Sequence, residues 1–435
     1  MADAIATQAP PHPHAPAIGT AVRMVPLFLL CYIVAQADKQ AFGLTLEAIQ
    51  RDIGITDTQI GLIQGAVFAV AFSLGGLPMG WLVDRWNRVH LTAICVTIWS
   101  MATALSGLAR SFEELVLLRA VTAFFEAGLA PAAFSLFRDS LGRGRTARAS
   151  ATYMLAPFLG AGVAMIGGAG VGHFLPHWPL MARFGWTDTW RLIFLMIGMP
   201  GVALGLALPF LLRDSRAPMA RGGTPAHRWG PLFAALFARP GFLRNYQLGM
   251  AMFVLFLSGY IAWFPTHLIR SLGYSLVTTG ALAGTVYMIA GIAGTVFTIS
   301  RMTAPVELGQ VVSWLARSVA LLIPVALLMP LMPWMWLILP LYALFAFLTA
   351  TILAVMVVPL QLVLASEVQG RAIGVFTLVV TGIAGSLGPL LIGAITNLTV
   401  ASLGSALLLV GLSGISGAAW MMRRALAAAL IESRS

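Results

Sequence analysis

Long apolar runs follow one another along this chain, broken at short intervals by clusters of polar and charged residues. They predict twelve helical spans, near residues 22–46, 59–83, 90–109, 112–137, 150–172, 190–212, 245–270, 276–300, 310–330, 334–362, 368–395 and 400–423. Each has about 20 residues or more, the length a helix needs to cross a hydrocarbon core of ~30 Å. The widest polar interruption, 213–244, holds Arg213, Arg216, Arg221, Arg228, Arg239 and Arg244 against Asp214. It reads as a cytoplasmic linker between two halves, 22–212 and 245–424, flanked by cytoplasmic tails at 1–21 and 425–435. The first tail is Ala/Pro/His-rich and is expected to be disordered. The linker segment "PLFAALFARPGFL" is apolar enough to lie on a membrane surface.

The pattern repeats. A shift of about 219 residues lays span two on span eight, pairing Gly61 with Gly280, Gly65 with Gly284, Phe68 with Tyr287 and Gly75 with Gly294. A shift of about 223 lays span five on span eleven, pairing Arg148 with Arg371, Tyr153 with Phe376 and Gly162 with Gly385. Two parallel six-span halves are a transporter architecture, with the site near the bilayer midplane.

Composition removes the other classes. Hydrophobic residues make up 59% and charged residues 9%, with a mean hydropathy of +0.90. Soluble domains carry about 25% charged residues. A soluble enzyme, a disordered chain and a coiled coil are excluded, and an outer-membrane barrel would alternate in polarity instead. The formal charge of +11 does not point to nucleic acid, because the basic residues are scattered over short inter-span segments. Arg85, Arg88, Arg138, Arg143, Arg145, Arg148, Arg301, Arg371, Arg423 and Arg424 fall on the linker's side. That predicts both termini and these loops on the cytoplasmic side of the membrane. Trp178, Trp186, Trp190, Trp334 and Trp336 fall near the opposite ends, where an aromatic belt is expected. Cys31 and Cys95 lie in apolar runs and imply neither disulfide nor metal. His173 and His177 lack a third ligand, and no nucleotide loop is present.

Span length forces charges into the bilayer. The uncharged run Met24 to Ala37 has only 14 residues, so span one must continue through Asp38, Lys39 and Gln40. Span four cannot reach spanning length without Arg119 and Glu126, which are seven apart and share one helical face. At 1.5 Å per residue Asp38 stands level with the gap between them, about 24 Å from the cytoplasmic end. Polar groups at that depth must face the bundle interior. An Asp/Arg/Glu set there can hold or release a proton as the helices rock, which is the chemistry of proton coupling.

The loop "GGLPMGWLVDRWNRVHL" supplies a second set. Gly80 permits close helix approach, Asp84 can cap a helix end in the other half, and Arg85 and Arg88 can reach facing carboxylates. These predict a cytoplasmic gate. The loop resembles the signature loop of the major facilitator superfamily, with Gly80, Leu82, Asp84, Arg85 and Arg88 at matching places. The segments "EAIQRDIGITDTQIGLIQGAVFAVAF", "LARSFEELVLLRAVTAFFEAGLAPAAFSLF", "WFPTHLIRSLGYS" and "GPLLIGAIT" resemble its bacterial Spinster-like branch. The resemblance implies that Asp38, Arg119 and Glu126 are the proton-coupling set, and it associates the branch with lysophospholipid- and sphingoid-like substrates. Departures from the branch include Phe125 in place of the usual Gly, Lys39 in place of Arg, and a degraded second-half loop "TISRMTAPVELGQ".

The expected protein is an all-α membrane carrier of twelve helices, not an enzyme, with no cofactor or metal. It is expected to act as a monomer driven by a proton gradient. Its substrate is expected to be an amphipathic or lipid-like small molecule; the alternative is a small organic anion clamped by Arg119, Lys39 and Arg270. Gln64, Tyr153, Tyr260, Trp263, Tyr287 and Gln361 are candidate cavity residues, and His267 is a titratable group near an outer end.

Overall fold

The computed structural model describes residues 18–141, 146, 149–150, 152–174, 188–214, 241–301, 307–364, 366–398 and 402–432. Among these the chain is helical throughout, in twelve membrane-length elements. They are α1 Ile18–Ile53, α2 Asp57–Arg85, α3 Arg88–Ser106, α4 Phe112–Ser140, α5 Ala156–Phe174 and α6 Thr189–Leu211 in the first half. The second half holds α7 Phe242–Arg270, α8 Leu276–Arg301, α9 Leu308–Leu331 and α10 Met335–Val363. It ends with α11, built from Ser366–Thr377, Leu378–Ala384 and Gly385–Leu398, and α12 Leu403–Glu432. Eleven of the twelve are long and apolar enough to cross a membrane by length and composition; the exception is α1, the helix that carries Asp38 and Lys39. The expected tail from 425 instead continues α12, with Ala425 and Ala429 buried. Trp178, Trp186, His177, the Arg residues of 142–145 and most of the linker and first tail lie outside the described residues.

Helix packing repeats between the halves. In the first, α3 packs on α6, α1 on α5 and α2 on α4; in the second, α9 packs on α12, α7 on α11 and α8 on α10. The repeat reaches the turns as well. Gly54 and Gly273 precede α2 and α8 with φ of +77° and +72°, a conformation that penalises any Cβ. Two residues on, the hydroxyls of Thr56 and Ser275 accept hydrogen bonds from the backbone N–H groups of Gln59 and Thr278, starting each helix. Between halves α2 meets α11 and α5 meets α8, the two pairings the repeat requires, while α1 meets α7 on the pseudo-axis.

Between described residues, the hydrogen bonds that cross from one half to the other lie at the end opposite the 84–88 loop. Thr266 Oγ1 donates to the Gly43 carbonyl at 3.1 Å and Asn397 Nδ2 to Thr58 at 3.2 Å. Arg270 joins them as a latch: its Nε meets Glu47 at 2.6 Å, its Nη1 meets Asp57 at 2.9 Å, and Nη2 bonds Gln50. Arg270 is therefore a tie between halves at one end of the bundle, and its charge is already taken by two carboxylates. Charged hydrogen bonds of this kind contribute about 1.5–3 kcal/mol each. Arg270→Ala is expected to open this end. A Gln50→Cys reporter should react at least about threefold faster with a membrane-impermeant maleimide; unchanged labelling would deny the latch. The native Cys31 and Cys95 are buried and leave a low background.

Candidate functional site

The charges forced into the bilayer meet in two ion pairs, one above the other, between α1 and α4. Arg119 Nη1 donates to Asp38 Oδ2, with both side chains almost wholly buried, at 2% and 1% exposure. Lys39 Nζ donates to Glu126 Oε1 at 2.5 Å; Glu126 is buried but Lys39 is 32% exposed. Adjacent residues on α1 point in different directions, so Asp38 and Lys39 reach two residues of α4 that stand about 10 Å apart along its axis. Asp38, Arg119 and Glu126 are thus brought together as expected. The partner of Glu126, however, is Lys39. Sequence spacing alone did not assign that pair, though Lys39 is the only lysine in the chain and stands inside a forced span.

Local chain geometry explains the depth of Glu126. The helix segment Phe112–Glu126 ends there, Ala127 and Gly128 form a turn, and Leu129–Ser140 resumes. Pro131 causes the break: it lacks an N–H and its ring crowds the carbonyl of Ala127, four residues earlier. Three atoms of the two pairs, Asp38 Oδ1, Arg119 Nε and Glu126 Oε2, are buried with no hydrogen-bond partner among the described residues. Buried polar atoms of this kind are costly to leave unpaired. The Phe68 ring lies under both cations, its centroid 4.9 Å from Lys39 Nζ and 5.5 Å from Arg119 Cζ. Phe42 supports Arg119 alone, at 5.1 Å.

The candidate cavity residues separate into two groups. Tyr260 is core: it is fully buried, and its hydroxyl donates to the Ala326 carbonyl at 2.6 Å. Trp263 is also fully buried, donating to the Pro389 carbonyl at 3.0 Å. Gln361 is exposed on α10. Gln64, Tyr153 and Tyr287 form the second group. Gln64 Nε2 and the Tyr153 hydroxyl are buried with no hydrogen-bond partner among the described residues. Tyr153 stacks on Tyr32 of α1 at 4.5 Å, and Tyr287 bridges Phe158 of the first half and Tyr342 of the second, each at 5.5 Å. His267 is buried against the Pro330 carbonyl at 3.2 Å, inside the second half. Trp190, expected in an aromatic belt, is instead buried and donates to Asp52 at 3.1 Å, whereas Trp334 and Trp336 are exposed.

The gate loop differs most from expectation. Arg88 is not a loop residue; it opens α3 and is fully buried. Its guanidinium meets Asp214 at 2.7 and 3.0 Å, Asp139 at 2.6 Å and Ser135 at 3.0 Å, and its backbone N–H meets Asp214 at 2.9 Å. These partners stand at the ends of α4 and α6, so Arg88 binds its own half together. Arg85 lies over the Trp81 ring at 4.3 Å on its own helix. A Cβ on Gly80 would meet nothing within 4 Å, so no helix approaches it here. Asp84 is exposed beside a cavity of about 430 Å³ that Gly80, Phe134, Ser135 and Arg138 also line. Among the described residues no hydrogen bond joins the halves at this end, whereas Arg270 and its partners join them at the other.

Residues 28–389 match the Major Facilitator Superfamily family model. The chain belongs to this superfamily. Over 284 residues it is 25% identical to a probable L-galactonate transporter of Escherichia coli, covering 62% of this chain and 58% of that one. Over 279 residues it is 26% identical to a probable sulfoacetate transporter of Cupriavidus necator, covering 61% of each. The matched stretch thus spans about three-fifths of these relatives' own length. A solved bacterial homologue of the lysosomal transporter Spinster, in an inward-facing and unoccupied conformation, superposes with a TM-score of 0.71 at 22% identity, over 96% of this chain and 98% of that one. The twelve-helix fold of the superfamily is therefore the fold of this chain.

Proposed function

We propose that this superfamily member carries a small organic anion by alternating access, driven by protons held at Glu126 and Asp38. The observation that carries the reading is the pair Lys39–Glu126, in which the carboxylate is buried and the cation is one-third exposed. An arriving anion competes with Glu126 for Lys39. Glu126 left without its cation then takes up a proton, because an uncompensated carboxylate in a buried site is costly. Anion and proton are thereby loaded together. Arg119 is buried and already paired with Asp38, so it offers an arriving anion less accessible charge than Lys39. Arg270 is occupied at the latch.

The lipid-like substrate, the first expectation from the sequence, rests on the apolar and aromatic character of the cavity-side spans. Tyr260 and Trp263, two of the residues behind it, spend their polar atoms on backbone carbonyls inside the second half and leave the site. The names of two relatives, transporters of galactonate and of sulfoacetate, support an anion. The test is uptake by purified protein in proteoliposomes under an imposed pH gradient, with labelled galactonate, sulfoacetate and a lysophospholipid as probes. Acid-driven accumulation of a carboxylate or sulfonate is expected. Lys39→Ala should weaken it at least about tenfold, the loss of one charge-assisted hydrogen bond. Accumulation of the lysophospholipid alone would overturn the anion reading.

A further inference from the structure

We infer that Phe68 is a positioning residue for both ion pairs, and that the π turn before it carries the packing between the halves to them. The inference rests on the proton-coupling reading above. Its geometry begins with one ring serving two cations on two levels, Lys39 at 4.9 Å and Arg119 at 5.5 Å. A cation over an aromatic face is attracted by the ring quadrupole, more strongly where water is excluded. Moving that ring therefore moves both partner charges relative to Asp38 and Glu126. From α1 the ring faces Lys39, which is paired with Glu126, and from α4 it faces Arg119, which is paired with Asp38. Residues 372–397 of α11, which pack against the turn, contain no charged side chain.

The ring's position is set by the turn Ile63–Val67, where α2 widens to a π turn and Phe68 resumes the α-helix. Such a turn accommodates one extra residue, and π turns recur at functional sites. Recovery of regular α geometry would rotate everything on one side of it by about 100° against the other. What sits on the turn is the other half of the protein. A Cβ on Gly65 would stand 2.1 Å from the Ser386 carbonyl oxygen of α11, and one on Gly61 would stand 2.7 Å from that of Pro389. The halves approach so closely at this point that parting them must release the turn.

The repeat provides an internal comparison. In α8 a second π turn, Thr279–Ala283, carries Gly280, whose Cβ would stand 2.3 Å from the Met165 carbonyl oxygen of α5. The residue in the place of Phe68 is Tyr287, which packs on Phe158 and Tyr342. Each half thus has a π turn against the other half, that of α8 lying three residues earlier in the repeat, but only the turn of α2 is followed directly by a ring beneath charges.

The test follows the melting temperature of the full chain in detergent from roughly pH 4 to 9, the range over which carboxylates of ordinary and raised proton affinity titrate. Phe68→Leu is expected to displace the midpoint of this profile by at least about half a pH unit. Phe68→Tyr, which keeps the ring, leaves it in place. Gly65→Ala displaces the midpoint although residue 65 touches neither pair; Gly280→Ala lowers the melting temperature without displacing it. If Gly65→Ala does not fold, Gly61→Ala takes its place. A Phe68→Leu profile that overlies the wild type overturns the role of the ring. Equal displacement by the two glycine variants, or none by either, overturns the role of the turn. These measurements need no substrate, so failure of wild-type galactonate uptake counts against the anion reading alone.

Discussion

Asp38→Asn and Glu126→Gln are expected to abolish acid-driven accumulation alike, yet to differ sharply in stability. Both remove a carboxylate that the bilayer-spanning length of α1 or α4 holds in the bundle interior. Asp38→Asn leaves the Arg119 guanidinium, 2% exposed, with no counter-charge. Removing one partner of a buried pair costs about 3–5 kcal/mol, which lowers the melting temperature by something on the order of 5–10 °C. Glu126→Gln releases Lys39, which is already one-third exposed and can remain solvated. Its cost is about 1 kcal/mol or less, as for an exposed pair. Melting curves on the purified variants, beside accumulation and substrate counterflow in proteoliposomes, measure both effects. Equal destabilisation would mean that the two pairs are equivalent structural ties. Retained accumulation by both variants would remove the protons from Asp38 and Glu126.

The second large effect is on folding rather than transport. Arg88→Met is expected to lose about 3–5 kcal/mol, because the Asp214 carboxylate, 2% exposed, loses the guanidinium that balances its charge. Asp214 also accepts from the backbone N–H of Arg88 at the start of α3, where a negative charge is favoured by the helix dipole. The double variant Arg88→Met with Asp214→Asn should recover more than half of the loss, since no charge then stays buried alone. Thermal melting across this cycle isolates the coupling. If the single variants were no less stable than the wild type, Arg88 would revert to the loop residue that its sequence position suggests.

Much of this protein was legible before folding. Twelve spans follow from apolar run length, because a bilayer admits only helices long enough to cross it. The two halves follow from repeats such as Gly61 with Gly280, which persist because α2 and α8 must approach α11 and α5 in the same way. Asp38, Arg119 and Glu126 were found because no spanning helix could be drawn without them. That argument works on depth alone, and depth along a helix is a property of sequence.

Tertiary structure decided direction and partnership. Nothing in spacing tells which way Lys39 turns, and it was the packing of α4, broken by Pro131, that brought Glu126 to it. Arg88 looked like a gate residue because its neighbours are polar; the ends of α4 and α6, 51 and 126 residues away, make it a buried tie. Tyr260 and Trp263 looked like cavity residues because they sit on a cavity-lining span, but a helix has two faces and theirs is the one against α9, α11 and α12. The π turn beneath Phe68 has no sequence signature of its own. It is imposed where α11 presses on Gly61 and Gly65, and contacts between residues more than 300 positions apart are set only when the two halves meet.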